Sequence, residues 1–80
     1  MRMVELRLWD GRRAELEAKN LKELLLCARK LFGLERYVDE DGEPKAILLV
    51  FVNGVERSAL LDESLEDGDV VELYPVLHRG

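Results

Sequence analysis

Apolar and polar residues alternate near the start of the chain. Val4, Leu6 and Leu8 take one side, and Glu5, Arg7 and Trp9 the other. A period of two sends successive side chains to opposite faces, so this stretch predicts a strand with one buried face. Asp10-Gly11 follows; both residue types tolerate positive φ, which predicts a two-residue hairpin turn. Ala14, Leu16 and Ala18 then alternate with Arg13, Glu15 and Glu17, giving the returning strand. Here the period changes. Leu21, Leu24, Leu25, Ala28 and Phe32 recur at helical spacing, while Lys22, Glu23, Arg29 and Lys30 fall off that stripe. Asn20 is placed as N-cap with Glu23 three residues on, as in a capping box. Gly33 is placed to close the helix in the left-handed conformation. An amphipathic helix from Leu21 to Phe32 is predicted.

Glu35 to Glu43 is polar, with Asp39-Glu40-Asp41 before Gly42, and reads as a solvated loop. Charge runs are ordinarily solvated; docking of a basic partner is the functional alternative. Ala46 to Val52 is an unbroken apolar run and predicts a strand. Asn53-Gly54 is a second hairpin signal, with a short strand around Val55 to Arg57. Leu60, Leu61 and Leu65 are apolar anchors in a turn-rich connection. Asp67-Gly68-Asp69 predicts a tight turn, and Val70 to Tyr74 a closing strand.

The order is strand, strand, helix, strand, short strand, strand, an α+β pattern. A single helix covers one face of the sheet only. A hairpin, a crossover helix and a return strand imply the β-grasp arrangement, with first and last strands parallel and adjacent. If Leu48, Val50 and Val52 face the helix, then Ile47, Leu49 and Phe51 face outward. Val70 and Tyr74 join them if Val71 and Leu73 are buried. A contiguous outward apolar patch marks a protein interface. The alternative is that the acidic loop or the tail folds over it.

Eighty residues make one domain. At 48% hydrophobic and 36% charged the chain is globular, not disordered. Its net charge of -5 argues against a nucleic-acid module, which needs a basic stripe for phosphates. The longest apolar run is too short to span a bilayer. No signal-peptide pattern opens the chain, since Glu5, Arg7 and Asp10 interrupt it. A cytoplasmic location is the expectation. One cysteine, Cys27, excludes an internal disulfide framework. Cys27 lies at the flank of the helical stripe and is read as a semi-buried structural residue rather than a sulfur-relay thiol. His78 is the only histidine, so partner contact is expected there and a metal site is not. With no catalytic set and no Gly-rich phosphate loop, the chain alone is not expected to turn over a substrate.

The residues most telling about function come last. Phe51-Val52-Asn53-Gly54, then Leu65-Glu66-Asp67-Gly68-Asp69-Val70-Val71-Glu72-Leu73-Tyr74-Pro75, then five residues to Gly80, resemble the ubiquitin-like sulfur carriers. The closest resemblance is to the small subunit of molybdopterin synthase. It is specific in the last thirty residues and follows the element order elsewhere. Val76 stands where the family usually has a second proline, and Arg79 where it has its penultimate glycine.

The resemblance implies a β-grasp domain over residues 1–76 and a flexible tail, 77–80. It implies that Gly80 carries the chemistry. An adenylating enzyme activates the C-terminal carboxylate, and sulfur transfer then gives a thiocarboxylate for molybdenum or tungsten pterin cofactor synthesis. A carboxylate is a poor electrophile until its oxygen becomes a good leaving group. The implied partners are that adenylating enzyme, which uses ATP and Mg, and a large synthase subunit. No cofactor is expected to stay bound to this chain, and neither nucleic acid nor membrane is an expected partner. Leu77, His78 and Arg79 are the tail contacts. Glycine lacks the Cβ that a narrow channel excludes, but Arg79 brings a long cation beside it. Three readings stand at this point: a wider channel, a channel that pairs with Arg79, or a chain that no longer carries sulfur. Two alternatives are a non-catalytic interaction module and a ubiquitin-like modifier of protein lysines.

Overall fold

In the computed structural model, which describes residues 2–59 and 61–76, β1 (Met3–Leu8) and β2 (Arg13–Glu17) form an antiparallel hairpin. Its turn has three residues, not two. Leu8 N–H donates to the Arg12 carbonyl at 2.8 Å, and Gly11 N–H to the Leu8 carbonyl at 3.2 Å. Gly11 has φ of 92°, whereas Asp10 stays at negative φ. A turn closed by a left-handed glycine is the usual three-residue solution. Asp10 is held by other bonds: Arg12 N–H donates to its Oδ1 at 3.0 Å.

The helix α1 (Leu21–Phe32) has the predicted bounds. Glu23 N–H donates to Asn20 Oδ1 at 2.9 Å, and Gly33 closes the helix at φ 67°. The reciprocal capping bond falls one residue early, from Lys19 N–H to Glu23 Oε1 at 3.4 Å. Leu21, Leu24, Leu25 and Ala28 are buried. Phe32, expected in the core, is half-buried. It lies at the end of the stripe, where the Arg12 guanidinium covers its ring at 5.1 Å. Cys27 is exposed, not semi-buried. The stripe of Leu21, Leu24, Leu25 and Ala28 turns it toward solvent with Leu31, which is 55% exposed.

The acidic loop is only partly solvated. Leu34, just before it, and Val38 within it are both buried in the core. Asp39 Oδ1 accepts from Asp41 N–H at 2.9 Å and from Glu43 N–H at 3.0 Å, which folds the loop on itself. Gly42 is pressed against α1 at φ 83°, and an added Cβ would stand 2.8 Å from the Lys22 carbonyl oxygen. Gly42→Ala is therefore expected to lower stability in urea unfolding by roughly 1–3 kcal/mol, from left-handed strain and overpacking. The loop packs on the helix at this point.

β3 (Leu48–Val52), β4 (Val55–Glu56) and β5 (Val70–Pro75) complete a sheet of order β2-β1-β5-β3-β4. β1 and β5 are parallel neighbours, with Leu6 opposite Val71 and Leu8 opposite Leu73. β3 begins later than expected: Ala46 and Ile47 form a turn, with Leu48 N–H on the Lys45 carbonyl at 2.9 Å. β4 stops at Glu56, although Arg57 N–H still reaches the Val50 carbonyl at 2.8 Å. Pro75 does not end the pairing. It lies opposite Leu48, and Val76 N–H donates to the Ile47 carbonyl at 2.7 Å. Alternation along β5 turns the missing Pro75 N–H away from β3. Leu65 is buried and Leu61 packs against the core; Leu60 lies outside the described residues.

Val4, Leu6, Leu8, Leu48, Val50, Val71 and Leu73 line the inner face of the sheet under Leu21, Leu24, Leu25 and Ala28. Among the described residues no helix is long and apolar enough to cross a membrane.

Candidate functional site

The helix and the sheet's inner face use one set of alternate strand residues. The other set points outward, and among the described residues no second helix covers it. With Leu48, Val50, Val71 and Leu73 buried, the parity expected for β3 and β5 holds. Leu49 and Phe51 lie on the outward face of β3, and Val70, Glu72 and Tyr74 on that of β5. Ile47, expected with them, lies in the preceding turn and is half-buried, and its carbonyl accepts from Val76 N–H at 2.7 Å.

Tyr74 is 41% exposed. Phe51 was expected to be as open, but it is half-buried, because the Tyr74 ring packs on it edge-on at 5.7 Å. Cross-strand aromatic contacts of this kind stabilise a sheet surface and also preform an anchor. Glu72, absent from the sequence-based site, stands among them. Its Oε2 accepts from the Tyr74 hydroxyl at 2.6 Å. That hydrogen bond, with desolvation and the nearby carboxylate charge, raises the Tyr74 pKa, and Arg7 opposes the rise. Alternation could have found Glu72, since it lies between Val70 and Tyr74.

A second constellation ties the two glycine turns together at the opposite end of β5. Asn53 and Gly54 both have positive φ, 51° and 84°, as a tight two-residue hairpin turn requires. Asn53 N–H donates to the Val70 carbonyl at 2.7 Å. Its Nδ2 donates to Asp69 Oδ1 at 3.0 Å, and its Oδ1 accepts from Val70 N–H at 2.9 Å. Asp69 Oδ2 accepts from Glu66 N–H at 2.8 Å. Met3 N–H donates to Asp67 Oδ1 at 2.8 Å, and Glu5 N–H to the Asp69 carbonyl at 2.9 Å. The Asn-Gly and Asp-Gly-Asp turns are therefore one clamp that fixes the start of β5. They position the strand.

β5 then passes between β1 and β3 and leaves the sheet at Pro75 and Val76, beside Tyr74, Leu49 and Ile47. Leu77, His78, Arg79 and Gly80, the predicted tail contacts and reactive residue, lie outside the described residues. Among the described residues no cluster of three or more His, Cys, Asp or Glu is arranged to hold a metal ion.

SAMP1 from Haloferax volcanii matches the chain with a TM-score of 0.78 at 21% identity, over 98% of this chain and 99% of that one. The chain has the ubiquitin-like β-grasp fold. The small archaeal modifier protein 1 (SAMP1) from Methanosarcina acetivorans gives the same TM-score, 0.78, at 20% identity, over 100% of this chain and 98% of that one. A complex of subunits 1 and 2 of molybdopterin-converting factor from Helicobacter pylori contains a chain that matches at 0.72 and 26% identity, over 98% and 99% of the two chains. No family model matches the sequence, and no curated protein does. The structural likenesses agree with the resemblance carried by the two glycine turns and Pro75.

Phe51→Asp tests the outward face. Phe51 lies on the solvent side of β3, so the fold is expected to survive, with unchanged far-UV circular dichroism. Binding of a partner that docks there is expected to be lost, because a charge would be desolvated at the apolar centre. Unfolding of the variant would instead place Phe51 in the core.

Proposed function

We propose that this chain is a ubiquitin-like sulfur carrier for pterin cofactor synthesis, acting through the C-terminal carboxylate of Gly80. The observation that carries this reading is the near full-length match to a chain of the molybdopterin-converting factor complex. The course of β5 supports it. The strand is clamped at Asn53 and Asp69, runs through the sheet centre, and heads toward Gly80 beside an aromatic outward face.

In the proposed reaction the Gly80 carboxylate oxygen attacks the α-phosphorus of ATP on an adenylating enzyme, releasing pyrophosphate. Hydrosulfide then displaces AMP from the acyl adenylate and loses its proton, leaving a thiocarboxylate. Mg-ATP belongs to the enzyme; the carrier supplies the carboxylate and the docking face. A large synthase subunit is the second partner, with the tail 77–80 entering its active site. The outward patch of Ile47, Leu49, Phe51, Val70 and Tyr74 is the proposed contact for one or both.

The deciding experiment is the intact mass after incubation with a cognate adenylating enzyme, Mg-ATP and a sulfur donor. A gain equal to one oxygen-to-sulfur exchange, mapped to Gly80, supports the carrier. A second reading, conjugation of Gly80 to protein lysines, is favoured by the likeness to small archaeal modifier protein 1. It predicts an isopeptide bond from Gly80 to a lysine side chain. Neither product with any cognate enzyme leaves a non-catalytic interaction module.

A further inference from the structure

The sheet has two edges, and the chain treats them differently. At one edge β4 has only two residues, Val55 and Glu56, a length that offers little for pairing. At the other edge β2 presents five residues, Arg13 to Glu17, with no proline. Leu8 N–H bonds the Arg12 carbonyl, and Ala18 N–H bonds the Arg2 carbonyl. By alternation, the even-numbered residues of β2 face β1, and the N–H and C=O groups of Arg13, Glu15 and Glu17 face out of the edge. Among the described residues no turn, loop or cap bond takes those groups.

We propose that two copies of this chain associate edge to edge through β2, antiparallel about a two-fold axis at Glu15. The register follows from the charges. Arg13 of each copy stands opposite Glu17 of the other, and Glu15 stands opposite Glu15. The three outward-facing residues then form the hydrogen-bonded pairs of the new ladder, which closes a continuous ten-stranded sheet. Ala14 of each copy stands opposite Leu16 of the other, on the helix side, where both are half-buried in the single chain. Edge strands are commonly guarded by prolines, bulges or inward charges. β2 has apolar residues at its inward positions, and its charges lie on the outward face, clear of the ladder.

The outward face of the hairpin gives an electrostatic reason. Within one chain Arg7 lies directly opposite Arg13, and Glu5 opposite Glu15. Like charges directly across strands are unfavourable. Arg7 is relieved by its bond to Glu5. In the dimer Arg13 gains Glu17 of the second copy, once on each side of the axis. The one adverse contact is Glu15 against Glu15, so the association is weak and that residue controls it.

Sedimentation velocity of the full chain over a concentration series up to about 1 mM tests this. The wild type is expected to move from monomer toward dimer within that range. Glu15→Gln should tighten association several-fold by removing the axial repulsion. Arg13→Glu should leave a monomer at every concentration, and the double swap Arg13→Glu/Glu17→Arg should restore the dimer. Glu15→Pro removes an outward N–H that β1 does not use; it should keep the monomer's circular dichroism and abolish the dimer. A wild type and Glu15→Gln variant that both stay monomeric overturn the proposal. So does a dimer that survives Arg13→Glu or Glu15→Pro, or a swap that fails to restore it. None of these outcomes depends on the chemistry at Gly80.

Discussion

One alanine added after Gly80 is expected to abolish the proposed thiocarboxylate formation while leaving the urea unfolding transition unchanged. Each extended residue moves the terminal carboxylate by about 3.3–3.6 Å. An aligned attack on phosphorus tolerates roughly 1 Å of misplacement before the rate falls a hundredfold. The added residue also puts a Cβ where glycine had none. Stability should not change, because the addition lies beyond Val71 and Leu73, the last core residues among those described. Intact mass after incubation with the adenylating enzyme reads the outcome. Arg79→Gly belongs to the same series. It should be neutral or faster if the enzyme merely accommodates the cation, and slower if an acidic or phosphate group pairs with it. If wild type forms no adenylate and Arg79→Gly does, the chain is a degenerate carrier and the interaction-module reading wins. Full activity of the extended chain would remove Gly80 from the reaction.

Leu25→Ala is expected to lower the free energy of unfolding by roughly 2–5 kcal/mol, from lost transfer energy plus a cavity. Leu25 is fully buried under the sheet with Leu24, Leu21 and Ala28. An 80-residue domain has a total stability of about 4–12 kcal/mol, taking roughly 0.05–0.15 kcal/mol per residue. A loss of this size is therefore a large share of the whole, and the melting temperature should fall by many degrees. Urea unfolding of both proteins measures it. A change below about 1 kcal/mol would mean that the core collapses around the missing side chain.

Local patterns carried most of the fold. The alternation of β1, the stripe of α1 and its caps at Asn20 and Gly33 are short-range features, and each appears where the sequence places it. Strand parity on β3 and β5 followed from the same period of two, so the outward set of Leu49, Phe51, Val70 and Tyr74 was legible too. What the patterns could not show depends on contacts between distant segments. The clamp of Asn53 on Asp69 joins residues 16 positions apart. Burial of Leu34 and Val38 depends on the acidic loop folding back on α1, which Gly42 permits by lacking a Cβ. Trp9 was assigned to the polar face of its strand, but it meets Tyr37 at 5.0 Å, because the three-residue turn carries it off the strand's alternation. Phe51 lost part of its expected exposure to Tyr74 on the neighbouring strand.

The sequence by itself determined which residues could share a face: periodicity is a property of neighbours along the chain, set by backbone geometry. Only the tertiary structure decided which faces meet. That choice placed β3 beside β5, joined the two glycine turns into one clamp, and set Tyr74 against Phe51. Such pairings rest on loop closure and packing among segments far apart in sequence, whose energies no local pattern records.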